Sequence, residues 1–289
     1  AKGHMDAIIR RALADGYDLM NILRACILNP MQHYQLEVGI LQEGDAADCI
    51  LVDNLDDFNV LETYVDGQLI ALNGKTLIES VVEIPINKFY PNKINIDDLK
   101  VPAIGGSIQV IQALDGELIT PKLQQDIDQS KEFVESDIAT DTLKIIVLDR
   151  YQKSKPAIGF IRGFGFKKGA IASSVAHDSH NIIAVGAHDE EIVKAVELIL
   201  QEEGGVSWVD GDRSEVLGLP VAGIMSHKDG WEVASKYNEL DQLAKSLGTS
   251  LHAPYMTLSF MALLVIPELK LSDKGLFDGT TFSFTNLVQ

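Results

Sequence analysis

Within nine positions, Ser173-Ser174-Val175-Ala176-His177-Asp178-Ser179-His180-Asn181, the chain gathers side chains able to attack, titrate, ligate and hydrogen-bond. A serine next to His177 could be written as nucleophile and base, and His177, Asp178 and His180 offer imidazole and carboxylate ligands to a metal. Both chemistries meet objections. No Gly-x-Ser-x-Gly elbow surrounds Ser173 or Ser174, and a catalytic triad is defined by geometry that proximity in sequence does not supply. In a strand-like context, positions i and i+3 point to opposite faces, which separates His177 from His180 as joint ligands. A plainer reading makes the run a turn, since Asp, Ser and Asn bond their own backbone and a His can cap a strand end. The crowding of titratable groups is nevertheless the usual mark of a functional cleft. His177, Asp178 and His180 are therefore the candidate catalytic residues, in a substrate-side or lid role. Ser173, Ser174 and Asn181 are the candidate substrate-binding residues, and no metal ligand is assigned.

The elements that must position this run are legible on either side. Residues 171–175 and 182–185 are short, apolar and β-compatible, so the polar cluster falls where one buried strand ends and the next begins. Residues 143–148 and 157–166 read as further strands, the latter interrupted by glycine. Ile192, Val193, Val196, Ile199 and Leu200 form a helical stripe from near Asp189 to Gly204-Gly205, with His188 at its start. Residues 206–209 and 215–217 flank Asp210-Gly211 as a hairpin, and Trp231, Ala234, Tyr237, Leu240 and Leu247 share one face of a long helix ended by Gly248. The expected fold class is α/β (α+β), with a mixed domain around a sheet over 103–289. Gly163-Phe164-Gly165 with Gly169 departs from the dinucleotide fingerprint and precedes no clear helix, so these glycines read as a bulge or a close approach.

Upstream, Met5, Ile8, Ile9, Ala12 and Leu13, then Leu19, Ile22, Leu23 and Cys26, have helical spacing up to Asn29-Pro30. From Val38 the character is β. Residues 60–65 lead through Asp66-Gly67 into 68–71 as a hairpin, and Asn73-Gly74 marks another turn. Residues 85–102, with Pro91 and several Asn, look like a linker or connecting loop.

Composition bounds the function class. The chain has 24 Lys plus Arg against 42 Asp plus Glu, a net charge of −18, and Lys167-Lys168 is too short a basic patch to release counterions from a polynucleotide. Nucleic acid is excluded as a partner, whereas a neutral small molecule is not. No apolar run is long enough for a bilayer, and the first residues are no signal peptide, so a cytoplasmic protein is expected. Cys26 and Cys49 supply neither a disulfide framework nor a Cys-x-x-Cys metal pair. The His-x-Glu and Pro-Cys-x-x-Cys pattern of cytidine-deaminase zinc sites does not occur.

The nine-residue run, followed by an apolar strand and Gly186, resembles the signature of the C-terminal domain of bacterial adenine deaminases, amidohydrolase-type enzymes that convert adenine to hypoxanthine. Gly3-His4-Met5-Asp6 with Ile8-Ile9-Arg10-Arg11 is similar to the family's segment after its last barrel strand, and Leu28-Asn29-Pro30 to the helix end that follows. Residues 256–263 with 265–271 resemble its closing segment.

The resemblance implies an arrangement. Residues 1–37 would be terminal helices of an amidohydrolase (β/α)₈ barrel, with apolar faces that need a partner, or else a helical hairpin on the next module. Residues 38–84 would be part of a composite β-sandwich, in which Asp45 and Asp48 serve as turn and cap residues. Residues 103–289 would be the adenine deaminase C-terminal domain, and Glu268 and Lys270 match family positions as surface or domain-contact residues. Such a barrel needs about 250 residues, and its ligands cannot be found. The seven His are His4, His33, His177, His180, His188, His227 and His252, and none form His-x-His. The chain is thus expected to be the C-terminal part of a metal-dependent hydrolase of purine metabolism, with a dinuclear manganese or iron site on the missing barrel. Adenine is the implied substrate and a homo-oligomer the implied assembly. In the implied reaction a metal-activated hydroxide attacks C6 of the purine and ammonia leaves. The alternative is a catalytically silent domain that binds a purine or pairs subunits.

Overall fold

The computed structural model describes residues 3–81 and 84–289. They form two compact units, Ala1–Val82 and Glu83–Gln289.

In the first unit, helix α1 (Met5–Ala14) carries an Asp6–Arg10 ion pair at i, i+4 and buries Ile9. Helix α2 (Leu19–Leu23) starts at Asp18, whose carboxylate accepts from the Asn21 N–H. The spacing places the helix end at Asn29-Pro30, but the chain stays helical. A π turn, Arg24–Leu28, leads into α3 (Asn29–Tyr34), which stops at the left-handed Gln35. Pro30 sits in the first turn of α3, where a missing N–H costs little. Four antiparallel strands follow: β1 (Cys49–Val52), β2 (Val60–Val65), β3 (Gln68–Leu72) and β4 (Lys75–Thr76). Asp66-Gly67 and Asn73-Gly74 all have positive φ, the geometry that two-residue hairpin turns require. Asp48 accepts from Gly39 and Asp66 N–H groups at 2.8 Å, and Asp45 from Ile40, so both tie loop backbone as expected. Ile9 and Ile22 pack with Phe58 and Val52, so the helices find part of their apolar partner within this unit. Ile8, Met20 and Ile27 remain exposed. The β segment forms one four-stranded sheet.

The second unit is built on strands β5 (Ser107–Gln112), β6 (Lys122–Asp126), β7 (Leu143–Leu148), β8 (Ala157–Arg162), β9 (Ala170–Ser173), β10 (Ile182–Gly186), β11 (Gly205–Asp210) and β12 (Arg213–Gly218). Their order is β12-β11-β9-β10-β7-β8-β5-β6, antiparallel except for β5 against β8. Helix α4 (Asp189–Gln201) places Ile192, Val196 and Ile199 on the face formed by Ile146, Leu148, Ala172 and Ala184. Helices α5 (Gly230–Lys245) and α6 (Pro254–Phe260) bury Leu240, Ala244 and Leu258 on the opposite face, against Ile145, Val147, Ile171 and Ile183. The central strands are covered on both faces, which is why they read as continuous apolar runs without alternation. A small sheet of β13 (Leu269–Ser272), β14 (Gly275–Asp278) and β15 (Ser283–Phe284) closes the chain, with Leu269, Leu271 and Leu276 in that second core.

Two sequence expectations need revision. The 85–102 stretch, read as a linker or loop, packs onto the second unit. Its 3₁₀ turn Ile96–Leu99 has a capping box between Asn95 and Asp98, Leu99 is fully buried beside Ile146 and Ile192, and the Tyr90 N–H donates to the Arg150 carbonyl. Polar composition concealed an element with a single deep anchor. Lys270, expected at a surface or domain contact, has 0% exposure, and its ammonium donates to the Leu118 carbonyl at 2.7 Å.

Burial holds the Lys270 ammonium at about 8, below the ordinary lysine value of 10.5. The unfolded chain binds that proton more tightly than the folded one, so its burial opposes folding at neutral pH. That penalty fades as pH rises from about 8 toward 10.5. Lys270→Met is therefore expected to stabilise the protein at pH 7 by roughly 1–2 kcal/mol. Urea unfolding should show the gain shrinking over that window, and a gain that grows with pH would contradict it.

Candidate functional site

Strand β9 ends at Ser173, whose hydroxyl accepts from the Val175 N–H at 3.0 Å, the short-range bond that turns a chain out of a strand. Ser174 faces inward. Its Oγ donates to the Gly223 carbonyl at 2.5 Å and accepts from the Gly205 N–H at 2.7 Å, while its own N–H donates to the Gly205 carbonyl. Ala176 is buried, the His177 N–H donates to the Ser259 carbonyl, and the His180 N–H donates to the Ala176 carbonyl at 2.6 Å, closing the turn. Asn181, at the start of the return, accepts from the Arg150 N–H through Oδ1. The polar run thus lies between β9 and β10, the junction inferred from the sequence.

The structure divides the candidate residues into two groups. Ser173, Ser174 and Asn181 are buried, and both serine hydroxyls and Asn181 Oδ1 bond the surrounding backbone. They frame the turn. Among the described residues neither serine hydrogen-bonds His177 or His180, so no nucleophile and base pair is assembled. Asp178 and Ser179 are exposed, while His177 and His180 are half-buried. The two imidazoles meet edge-on with ring centroids 5.7 Å apart, and the His177 ring lies 4.9 Å from Phe260 at the end of α6. Burial, followed by the nearby His177 and the Arg150 charge, lowers the pKa of His180 below the ordinary 6.5, against the opposing pull of Asp178. His180 is accordingly neutral at pH 7, and its buried Nδ1 has no protein partner. A neutral imidazole offers one donor and one acceptor.

Sequence reasoning missed Arg150, Tyr151 and Phe260. Arg150 follows β7 and is 4% exposed, and Tyr151 donates through its hydroxyl to the Ser179 carbonyl at 2.9 Å. No local signal could have found them, because their contacts span tens of residues of chain.

The dinuclear metal centre implied by the family resemblance can be tested against these residues. Among the described residues, no three His, Cys, Asp or Glu side chains gather as a metal site would require. Edge-on imidazoles with buried serines behind them do not fit a two-metal centre. The glycine loop has an internal partner as well. Gly163 and Gly165 aim their N–H groups at the Asp141 carboxylate at 2.8 and 2.7 Å, and a Cβ on Gly163 would lie 2.1 Å from the Ala113 carbonyl oxygen. This anion cradle is filled by the protein's own side chain. His188 occupies the N-cap position of α4, as its place in the sequence indicated.

Residues 117–283 match the family profile described as the adenine deaminase C-terminal domain, and residues 1–70 match the amidohydrolase family profile. A protein named adenine deaminase from Sulfurovum sp. (strain NBC37-1) is 52% identical over 286 residues, covering 98% of this chain and 52% of the relative. One of the same name from Methanosarcina barkeri is 50% identical over 99% of this chain and 53% of its own length. Another from Borreliella burgdorferi is 42% identical over 98% of this chain and 52% of its own. The chain spans about half the length of the curated relatives it matches. With seven of the eight strands of the second unit's sheet, its inward serines and its histidine turn lying inside the matched segment, the chain belongs to the adenine deaminase C-terminal domain family.

Proposed function

We propose that this chain supplies the C-terminal half of an adenine deaminase, a hydrolase that converts adenine to hypoxanthine and ammonia, and that the 177–180 turn faces the bound base. The observation that carries the reading is identity of 42–52% over nearly the whole chain to proteins of that name, each about twice as long as the matched region. The amidohydrolase match supports metal dependence. A manganese or iron pair would belong to the half this chain does not span. The likeness of residues 1–37 to terminal barrel helices supports the same division.

The geometry of the turn supports specific roles for this chain. His177, half-buried with its ring 4.9 Å from that of Phe260, can stack on a flat purine through its other face. Neutral His180 can donate to a ring nitrogen or accept from an N–H. Asp178, exposed beside it, can accept a hydrogen bond from an exocyclic amine and relay a proton at its carboxylate. Ser173, Ser174 and Asn181 hold these groups in place. A cytoplasmic homo-oligomer is part of the proposal, and the absence of any helix in the described residues long and apolar enough to cross a membrane is compatible with it.

A second reading, a silent purine-binding or oligomerisation domain, is favoured for the isolated chain by the lack of a gathered ligand set among the described residues. Steady-state kinetics on an enzyme of the relatives' full length, with His177→Ala and His180→Ala, separate the two. The base-facing reading expects kcat/KM for adenine to fall by about tenfold or more in each, the loss of one or two hydrogen-bond or stacking contacts. Normal kinetics in both correctly folded variants would remove the turn from the active site.

A further inference from the structure

Arg150 is nearly solvent-free, and its side-chain contacts lead to the histidine turn or to the segments that frame it. Its N–H donates to Asn181 Oδ1 at 3.2 Å, where the turn rejoins the sheet. Nη2 donates to the Tyr151 hydroxyl at 2.8 Å, and that hydroxyl donates in turn to the Ser179 carbonyl at 2.9 Å, inside the turn itself. The guanidinium also lies 4.6 Å from the Tyr151 ring centroid, a stacking that fixes both groups. Nη1 donates to the Ala222 carbonyl at 2.6 Å. Next along the chain, Gly223 lacks the Cβ that would come within 1.8 Å of Nη1, and its carbonyl accepts from Ser174 Oγ, so the circuit returns to the motif. A guanidinium has five donors in a rigid planar fork, which lets one residue hold several directions at once.

We propose that Arg150, acting through its guanidinium on Tyr151 and through its backbone N–H on Asn181, is the positioning residue of the 177–180 turn, fixing where His177 and His180 stand relative to a bound base. The catalytic consequence rests on the proposal that this turn faces adenine, while the positioning itself is a property of this chain. The geometry makes Tyr151 the weak link. It is the partly exposed intermediary between a buried cation and the turn backbone, and its hydroxyl alone joins the guanidinium to the Ser179 carbonyl. Arg150 also bears on His180 electrically, together with His177 and against Asp178. A purely structural arginine elsewhere in the core would have no such influence.

The test uses Tyr151→Phe, Arg150→Lys and Arg150→Met, with histidine titration and amide exchange followed by NMR in this chain and kinetics in the full-length enzyme. Tyr151→Phe should keep the fold and speed exchange of the His180 amide by about fivefold, the worth of one ordinary hydrogen bond. In the full-length enzyme it should raise KM for adenine by a similar factor and leave kcat within about twofold, as loss of uniform binding does. Arg150→Met should raise the His180 titration midpoint, whereas Arg150→Lys, which keeps charge but loses the fork, should leave it low and still loosen the turn. If Arg150→Met does not fold, the exchange arm of Tyr151→Phe decides. Unchanged His180 exchange in Tyr151→Phe overturns the positioning role. Faster exchange with normal kinetics in His177→Ala and His180→Ala keeps the positioning role and defeats the base-facing reading instead.

Discussion

Replacing Ser174 by valine is expected to destabilise the second unit by about 3 kcal/mol, well above the typical cost of a point substitution. The side chain has 0% exposure and one hydroxyl serving two backbone partners, donating to Gly223 and accepting from Gly205. Valine lacks the hydroxyl and carries one more γ atom than serine, and it leaves a buried N–H and a buried carbonyl without partners. Each orphan costs roughly 1–3 kcal/mol. Ser174→Thr keeps the hydroxyl and should recover much of the loss. Urea unfolding of the three proteins measures this directly, and a valine variant as stable as the parent would refute the framing role given to the motif serines.

Breaking the Lys144–Asp189 pair from its acidic side is expected to have an effect of similar size. Lys144 is buried in the middle sheet, and its ammonium donates to Asp189 Oδ2 at 2.6 Å and to the Leu99 carbonyl at 2.8 Å. Asp189→Ala leaves that ammonium buried with a single neutral acceptor, at an expected loss of about 3–5 kcal/mol. Lys144→Met removes the charge along with its need for a partner. The remaining carboxylate, partly exposed in the first turn of α4, sits where a helix favours negative charge. That variant should lie within about 1 kcal/mol of the parent. The asymmetry between the two substitutions, read from chemical unfolding, is the diagnostic result, and equal losses would show that the pair contributes as an attraction and not as a neutralised cation.

Much of the second unit was legible in the sequence because its central strands are covered on both faces. Residues 145–148 of β7, 170–172 of β9 and 182–185 of β10 appear as uninterrupted apolar segments, and the polar run between β9 and β10 stands out against them. Asp66-Gly67 and Asn73-Gly74 announced their turns through residue types that tolerate positive φ. Strand order was not legible, since it depends on pairings such as Val206 with Ser173 that no local pattern encodes. The same limit hid the division of labour in the motif. Ser174 looked like a binding residue because nothing nearby in sequence shows that Gly205 and Gly223 claim its hydroxyl. Arg150 looked like the end of a strand, although its side-chain fork reaches Ala222 and, through Tyr151, Ser179. Lys270 looked like a surface lysine because a charge in a short strand says nothing about the Leu118 loop that covers it.

We propose that this chain carries the base-facing turn of an adenine deaminase and leaves the metal centre to the half of its relatives that it does not span. The most direct test measures ammonia release from adenine, together with bound manganese and iron, for this chain alone and for a protein of the relatives' full length containing it. The full-length protein should retain metal and release ammonia, and this chain alone, supplied with either metal, should do neither. Stoichiometric metal and sustained ammonia release from the 289-residue chain by itself would contradict it.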